Sequence, residues 1–373
     1  MDFNYTEEQR QLADTLRRFS ENEYTAEHRR NVTRDHAGLC RDAWRAYAEF
    51  GVLGLDVPEE YGGFGNGAAD VFAVQREAGR ALLLEPVIAS SVMSASMLAA
   101  HGSTQLKDTW LPSLADGRKI VVPAWQERDA RYDFRAPKAR ASKEGEGFRI
   151  DGSKVHVWHG GAADAFIVSA WNADAEAVTL FIVPANAKGV TVRAYPTVDG
   201  QQAAEVHFDA VIVRAADMLG HARDGADILE AGIGRGIAAL CGASVGAMER
   251  LIEMTAEYLN TRRQFGQPLA AFQALRHRLA DMMVQKEMAL SMAYCAIAAV
   301  QQQDAAQRRR DISAAKTVVA KAGRFVGEQA IQLHGGIGVT AELAVGDYFK
   351  FLTAAGQMFG DASHHTDLYA QAI

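Results

Sequence analysis

The chain has 373 residues, 49% of them hydrophobic and 23% charged, with a formal net charge of −7. That length and composition fit a globular protein of two or three domains with large cores. The charge is dispersed, which excludes the clustered basic face of a nucleic-acid binder; Arg308-Arg309-Arg310 reads as a solvated helix edge.

The N-terminus carries acids from residue 2 onward and no apolar signal core. No apolar run approaches the ~18 residues of a membrane span. Cys40, Cys241 and Cys295 are too far apart for a disulfide framework or a metal site, so no metal is expected. A reducing, cytoplasmic setting follows.

Thr6 with Gln9 three residues on is a capping-box pattern, and Leu12, Leu16 and Phe19 recur at helical spacing. CRDAWRAYAEFGVLGL predicts a second helix ending at Gly51, and VPEEYGGFGNG breaks it. AADVFAVQREAGRALL and PVIASSVMSASMLAAHG predict two more helices, the second apolar enough to be buried. Near residue 119 the period shortens. KIVVPAW, GFRIDGSKVHVWHG, DAFIVSAW, AVTLFIVPA, GVTVRAY and AAEVHFDAVIV read as strands of an antiparallel domain, punctuated by Asp151-Gly152 and Asp199-Gly200. From about residue 223 the helical period returns and stays, which predicts an antiparallel bundle. Its later helices are expected near 308–333 and 341–357, with a short one at the end. The expected domains are 1–118, helical; 119–218, β; and 219–373, helical bundle.

Two stretches carry possible chemistry. In RRQFGQPLAAFQ, Arg262 ends a helix, Phe265-Gly266 turns the chain and Gln273 opens the next helix. Arginine forks and free helix N–H groups suit phosphate oxygens, although a capped hairpin with solvent-facing arginines has the same pattern. In QLHGGIGVTAE, Gly335, Gly336 and Gly338 allow close backbone approach to a ligand. No strand precedes them, so they are not a dinucleotide fingerprint.

Together and in this order, these motifs resemble the acyl-CoA dehydrogenase family over essentially the whole chain. TEEQRQLADTLRRF, GVLGLDVPEEYGGFG and FDAVIVRAADMLG add to the likeness. The resemblance implies an N-terminal helical domain, a central antiparallel β-barrel and a C-terminal four-helix bundle. It implies FAD as cofactor, an acyl-CoA substrate dehydrogenated at its α,β bond, and electrons passed to an electron-transfer flavoprotein. It implies a homo- or hetero-oligomer, a dimer or tetramer, with FAD at a subunit interface. Carried over by position, Arg262, Phe265 and Gln273 reach the FAD of a neighbouring subunit. Gln332, Leu333, His334, Gly335 and Gly336 supply backbone around its pyrophosphate. Arg235 lies where the first bundle helix meets CoA. Helix segments Ala238–Val245 and Met282–Met292 are expected to pack against a neighbouring chain as well as their own core.

The departures from the family matter as much. Of the motif that seats flavin and thioester, AWQERDARYDF keeps Glu127, with Gln126 in place of a threonine that hydrogen-bonds the flavin. His156 and Trp158 stand where the family has its flavin-side Trp and Thr; Trp158 either stacks on the flavin or is an ordinary strand residue. The family's catalytic glutamate falls on Gly360, and its alternative home on Gly236. Both positions line the substrate site in the family. Asp361 is then the carboxylate of the turn, either a substitute base or the cap of the final helix. His364 and His365 either donate to FAD or acyl group, or lie on the surface. ERDARYD and FGDASHH resemble pimeloyl-CoA dehydrogenase small subunits. That likeness implies an alternative to a self-sufficient catalyst, namely a non-catalytic or half-site partner in a heteromeric dehydrogenase.

Overall fold

In the computed structural model, which describes residues 5–34, 38–65 and 67–372, the first helix begins where its capping pattern places it. Thr6 Oγ1 accepts from Gln9 N at 3.2 Å, and Gln9 Oε1 accepts from Thr6 N at 3.0 Å. The helices before the sheet are α1 (Glu7–Asn22), α2 (Ala26–Arg34), α3 (Arg41–Glu49), α4 (Ala68–Ala81), α5 (Ala95–His101) and α6 (Thr104–Ala115). α3 stops at Gly51, whose φ of 77° ends helical winding. Val87–Ser94, expected as plain α-helix, is a fully buried π-helix running into α5.

Eight strands form a single sheet: β1 (Val121–Ala124), β2 (Arg140–Glu144), β3 (Gly147–Trp158), β4 (Ala165–Asn172), β5 (Ala177–Pro184), β6 (Val190–Pro196), β7 (Gln202–Arg214) and β8 (Met218–Leu219). The order is β6-β7-β3-β2-β4-β5-β8, with β1 on β4. Most pairings are antiparallel as expected, but β1–β4 and β2–β4 run parallel. β3 and β7 shift register between Lys154 and Val157, a bulge that leaves His156 with a φ of 50°.

The remaining elements are α7 (Gly225–Thr261), the two-residue strands β9 (Arg263–Gln264) and β10 (Gln267–Pro268), α8 (Gln273–Ala299), α9 (Ala305–His334), α10 (Val345–Gln357) and α11 (Ala362–Gln371). α7 is long and apolar enough to cross a membrane by length and composition alone, but 83% of its most apolar window is buried in this chain, as in a core helix.

The chain divides into two units. One comprises Met1–Arg29, Ala68–Leu83 and Ile237–Ile373; the other comprises Arg30–Gly67 and Leu84–Gly236. In the first unit α4 and α7 touch backbone to backbone. A Cβ added at Gly79 would lie 1.8 Å from Ala243 O, and one at Gly246 1.8 Å from Arg76 O. Arg76 pairs with Glu249 across that crossing at 2.7 Å. Ala238, Ala296 and Ala315 pack at the bundle centre with Met292 and Val300 at its edge. Small side chains let α7, α8 and α9 approach closely. In the second unit the sheet buries Phe166, Phe181 and Phe208, and Ser90 of the π-helix accepts from Val121 N of β1 at 3.3 Å.

Candidate active site

In the first unit the hairpin after α7 forms as its sequence suggests. β9 and β10 pair around Phe265 and Gly266, with φ of 51° and 80°. Arg262 O accepts from Leu269 N at 2.8 Å, closing the loop, while its side chain is exposed. Phe265 is 88% exposed and meets Phe272 edge-on at 6.1 Å. Gln273 begins α8, and Phe272 at its N-cap makes no side-chain capping bond. The first N–H groups of α8 therefore remain for water or an anion.

The glycine motif ends α9. Leu333 and His334 turn inward: His334 Nδ1 donates to Ala330 O at 2.8 Å, and its ring stacks on Tyr258 at 4.5 Å. Gln332 is exposed. Gly335 has a φ of 64°, and a Cβ at Gly335 or Gly336 would meet no atom within 4 Å. Open backbone, an uncapped helix start and an exposed arginine suit a dinucleotide diphosphate, and a bare phenylalanine suits a flat ring, so these residues fit FAD.

The turn between α10 and α11 is closed. Gly360 has a φ of 123°, and a Cβ there would lie 2.6 Å from His365 Nε2 and 2.6 Å from His364 Cδ2. Asp361 has an extended backbone, and its Oδ1 accepts from His364 N at 2.9 Å, so it caps α11. Of the two roles open in the sequence, the structure displays the cap. His365 is buried rather than on the surface. Its Nε2 donates to Phe359 O at 3.1 Å, which leaves Nδ1 to accept from Ser313 Oγ at 3.2 Å. Burial first, then the charge of Lys316, lowers the imidazole pKa to about 3. Lys316 is buried beside it and donates to Ala355 O at 2.7 Å and Gly356 O at 3.2 Å, satisfying the last carbonyls of α10. Burial brings its ammonium down to about 8.

The second unit holds the other candidates. Gln126 O accepts from Val155 N at 2.9 Å, in the bulge of β3. Trp158 is half-buried, and its indole N–H donates to Gln201 Oε1. Arg235 Nη1 reaches both oxygens of Asp56, at 3.1 and 3.2 Å. Gly236 is filled from outside: a Cβ there would lie 2.7 Å from Met93 Sδ. Met93 is itself 1% exposed.

Comparison with known proteins decides the family. Models of the acyl-CoA dehydrogenase N-terminal, middle and C-terminal domains match residues 6–118, 123–211 and 223–373. Acyl-CoA dehydrogenase FadE27 of Mycobacterium tuberculosis is 30% identical over 355 residues, covering 94% of this chain and 92% of that protein. The chain belongs to the acyl-CoA dehydrogenase family. It is therefore an FAD-dependent oxidoreductase of the class acting on CH–CH bonds. Among solved structures, the ChsE4–ChsE5 complex of Mycobacterium tuberculosis superposes with a TM-score of 0.90 at 28% identity, over 100% of this chain and 98% of that one. A variant of the Tcur3481–Tcur3483 steroid ACAD superposes with a TM-score of 0.88 at 28% identity, over 98% and 97%.

Sequence reading missed several residues of these sites. Lys154 and Lys316 were hidden because a lysine inside an apolar run usually snorkels outward; here both are buried. Met93, Ser313 and Asp56 act across long sequence separations, and no local pattern marks them.

Proposed function

We propose that this acyl-CoA dehydrogenase chain is one of two unlike subunits of a heteromeric enzyme. It would reach a neighbouring subunit's FAD through Arg262, Phe265, Gln273 and the 332–336 backbone, and would seat a flavin of its own on Gln126 and Trp158. The unlike chain would supply the carboxylate base. The expected domain limits, 1–118, 119–218 and 219–373, are carried into this reading.

One observation carries the proposal: both places where the family keeps its base are occupied by other side chains. His365 fills the space beside Gly360, and Met93 fills the space beside Gly236. A base must reach the proton it removes before its pKa matters. Asp361 is one residue along and is engaged in capping α11. FAD, when bound, would supply the hydride acceptor for the β-carbon of an acyl thioester. This chain's part in that reaction would be to hold the cofactor, while Arg235, paired with Asp56, would face the CoA end.

Two relatives at 28% identity carry names that join two components, and one of them is a steroid ACAD. They support an unlike partner and a ring-derived acyl group. Electron-transfer flavoprotein is the proposed acceptor. A cytoplasmic setting is retained.

The test is anaerobic flavin bleaching with a panel of acyl-CoA thioesters that includes ring-bearing ones. The chain alone should bind FAD and remain yellow. Coexpressed with a family member that keeps the glutamate, it should bleach, and equally so when this chain carries Asp361→Asn. Bleaching by the chain alone that is lost in Asp361→Asn would favour the second reading, Asp361 as base.

A further inference from the structure

The sheet contains an ion pair buried at both ends. The Lys154 side chain is 0% exposed and the Glu127 side chain 6% exposed. Removing two charges from water costs several kcal/mol per ion, and apolar side chains of similar volume often serve stability equally well. A buried pair therefore calls for a geometric reason, and its hydrogen bonds provide one.

All three donors of the Lys154 ammonium are used. They reach Glu127 Oε1 at 2.7 Å, Ser169 Oγ at 3.1 Å and Trp125 O at 3.4 Å. Glu127 is equally saturated, because Oε1 also accepts from Ala139 N at 3.0 Å and Oε2 from Lys138 N at 2.6 Å. The pair thus ties the end of β1, the start of β2, β3 and β4 to one point. It also closes the segment from Glu127 to Lys138. Gln126 and Val155 flank the two charges, and the Gln126 carbonyl holds the Val155 amide. Immediately beyond lies the bulge that puts His156 in a left-handed conformation and resets the alternation leading to Trp158. Burial would raise the Glu127 carboxyl, but Lys154 and the two amides hold it below its ordinary range, whereas burial still brings the Lys154 ammonium down to about 8.

We propose that Glu127 and Lys154 are a positioning pair, which fixes Gln126 relative to the β3 bulge and so sets the spacing of Gln126 and Trp158 against the flavin ring. The inference rests on the reading that FAD sits against Gln126 and Trp158. A pair that merely stapled a loop would be replaceable by any filling that keeps the loop closed. A positioning pair is not, because its exact length sets where Gln126 stands.

The experiment compares wild type, Glu127→Gln/Lys154→Met, Lys154→Arg and Trp158→Phe, each as the FAD-loaded chain. Melting of the apoprotein, FAD affinity by flavin fluorescence and the visible flavin absorption maximum are measured. The double variant replaces the charges by neutral groups of similar size. It should fold but melt several degrees lower, because glutamine cannot accept from both Lys138 N and Ala139 N, and it should shift the flavin band and weaken FAD about tenfold or more. Lys154→Arg keeps the charge but its planar fork cannot reproduce three convergent donors. It should also shift the band, which keeps the test decisive if the double variant does not fold. Trp158→Phe should move the band as well.

An unmoved band and unchanged affinity in folded Lys154 variants, with Trp158→Phe still moving the band, would overturn the positioning role and leave a structural staple. An unmoved band in Trp158→Phe would remove the flavin seat itself, and the positioning role with it.

Discussion

His365 shows how one buried ring defines a turn. Its neutral form donates to Phe359 O and accepts from Ser313, and it occupies the space a side chain at 360 would need. Its pKa is about 3 in the folded chain, against about 6.5 when unfolded. Between those values the unfolded chain binds more protons, so this contribution is complete above pH 6.5 and is lost as pH falls toward 3. Lowering pH from 7 to 5 should cost about 2 kcal/mol through this ring. His365→Asn should flatten that slope in chemical unfolding at several pH values; an unchanged slope would mean that another group governs it. Sequence alone left His365 as a donor to FAD or acyl group or as a surface residue, because the partners Phe359 and Ser313 are set by tertiary packing. Arg262 is the opposite case, since its place just after α7 was readable from the helix-ending arginine motif, and its proposed role is a contact to FAD. Arg262→Ala should remove a charge-assisted contact of about 1.5–3 kcal/mol and weaken FAD binding about tenfold or more, measured by flavin titration. Unaltered affinity would make the hairpin purely structural.

Elements with strong local signals were legible, and those shaped by packing were not. The capping box of α1, the Gly51 stop of α3 and the hairpin between α7 and α8 form where composition and spacing put them. The winding of the π-helix carried no distinct local signature. Val87–Ser94 is buried along its whole length, so its surroundings rather than its periodicity choose the winding. The parallel pairings of β1 and β2 with β4 were equally hidden, because alternation reports a strand and not its neighbour. The two glycines at the empty base positions differ in their elements. Gly360 lies in a left-handed turn with rigid histidine rings against it, whereas Gly236 lies on a helix against a flexible methionine. Gly360→Ala should therefore destabilise by about 2–4 kcal/mol, combining backbone strain with overpacking. Gly236→Ala should cost about 1 kcal/mol or less, since Met93 can yield and alanine favours the helix. Thermal or urea unfolding of both variants measures the difference; equal effects would contradict the rigid plug at Gly360.

At the scale of the whole molecule, the proposed function links catalysis to assembly. Of the segments expected to meet a neighbouring chain, Ala238–Val245 is already buried within this one. The second segment is divided: Met282 is buried, while Met283, Val284 and Met288 are about half exposed on α8. We expect that apolar helical face to be the interface. Val284→Glu/Met288→Glu should dissociate the oligomer, and sedimentation reads the result directly; an unchanged mass would place the interface elsewhere. The family and the order of its three regions were visible in the motifs. What the sequence left open was whether this chain carries its own base, because a glycine in an alignment does not reveal what fills the space beside it. Proton exchange isolates that question, since removing the α-proton needs a base and not an electron acceptor. The decisive measurement is solvent deuterium uptake at the α-carbon of a bound, poorly oxidised acyl-CoA analogue. The account predicts no uptake with this FAD-loaded chain alone and rapid uptake when a glutamate-bearing subunit is added, with Asp361→Asn making no difference. Uptake catalysed by this chain alone and abolished by Asp361→Asn would contradict it.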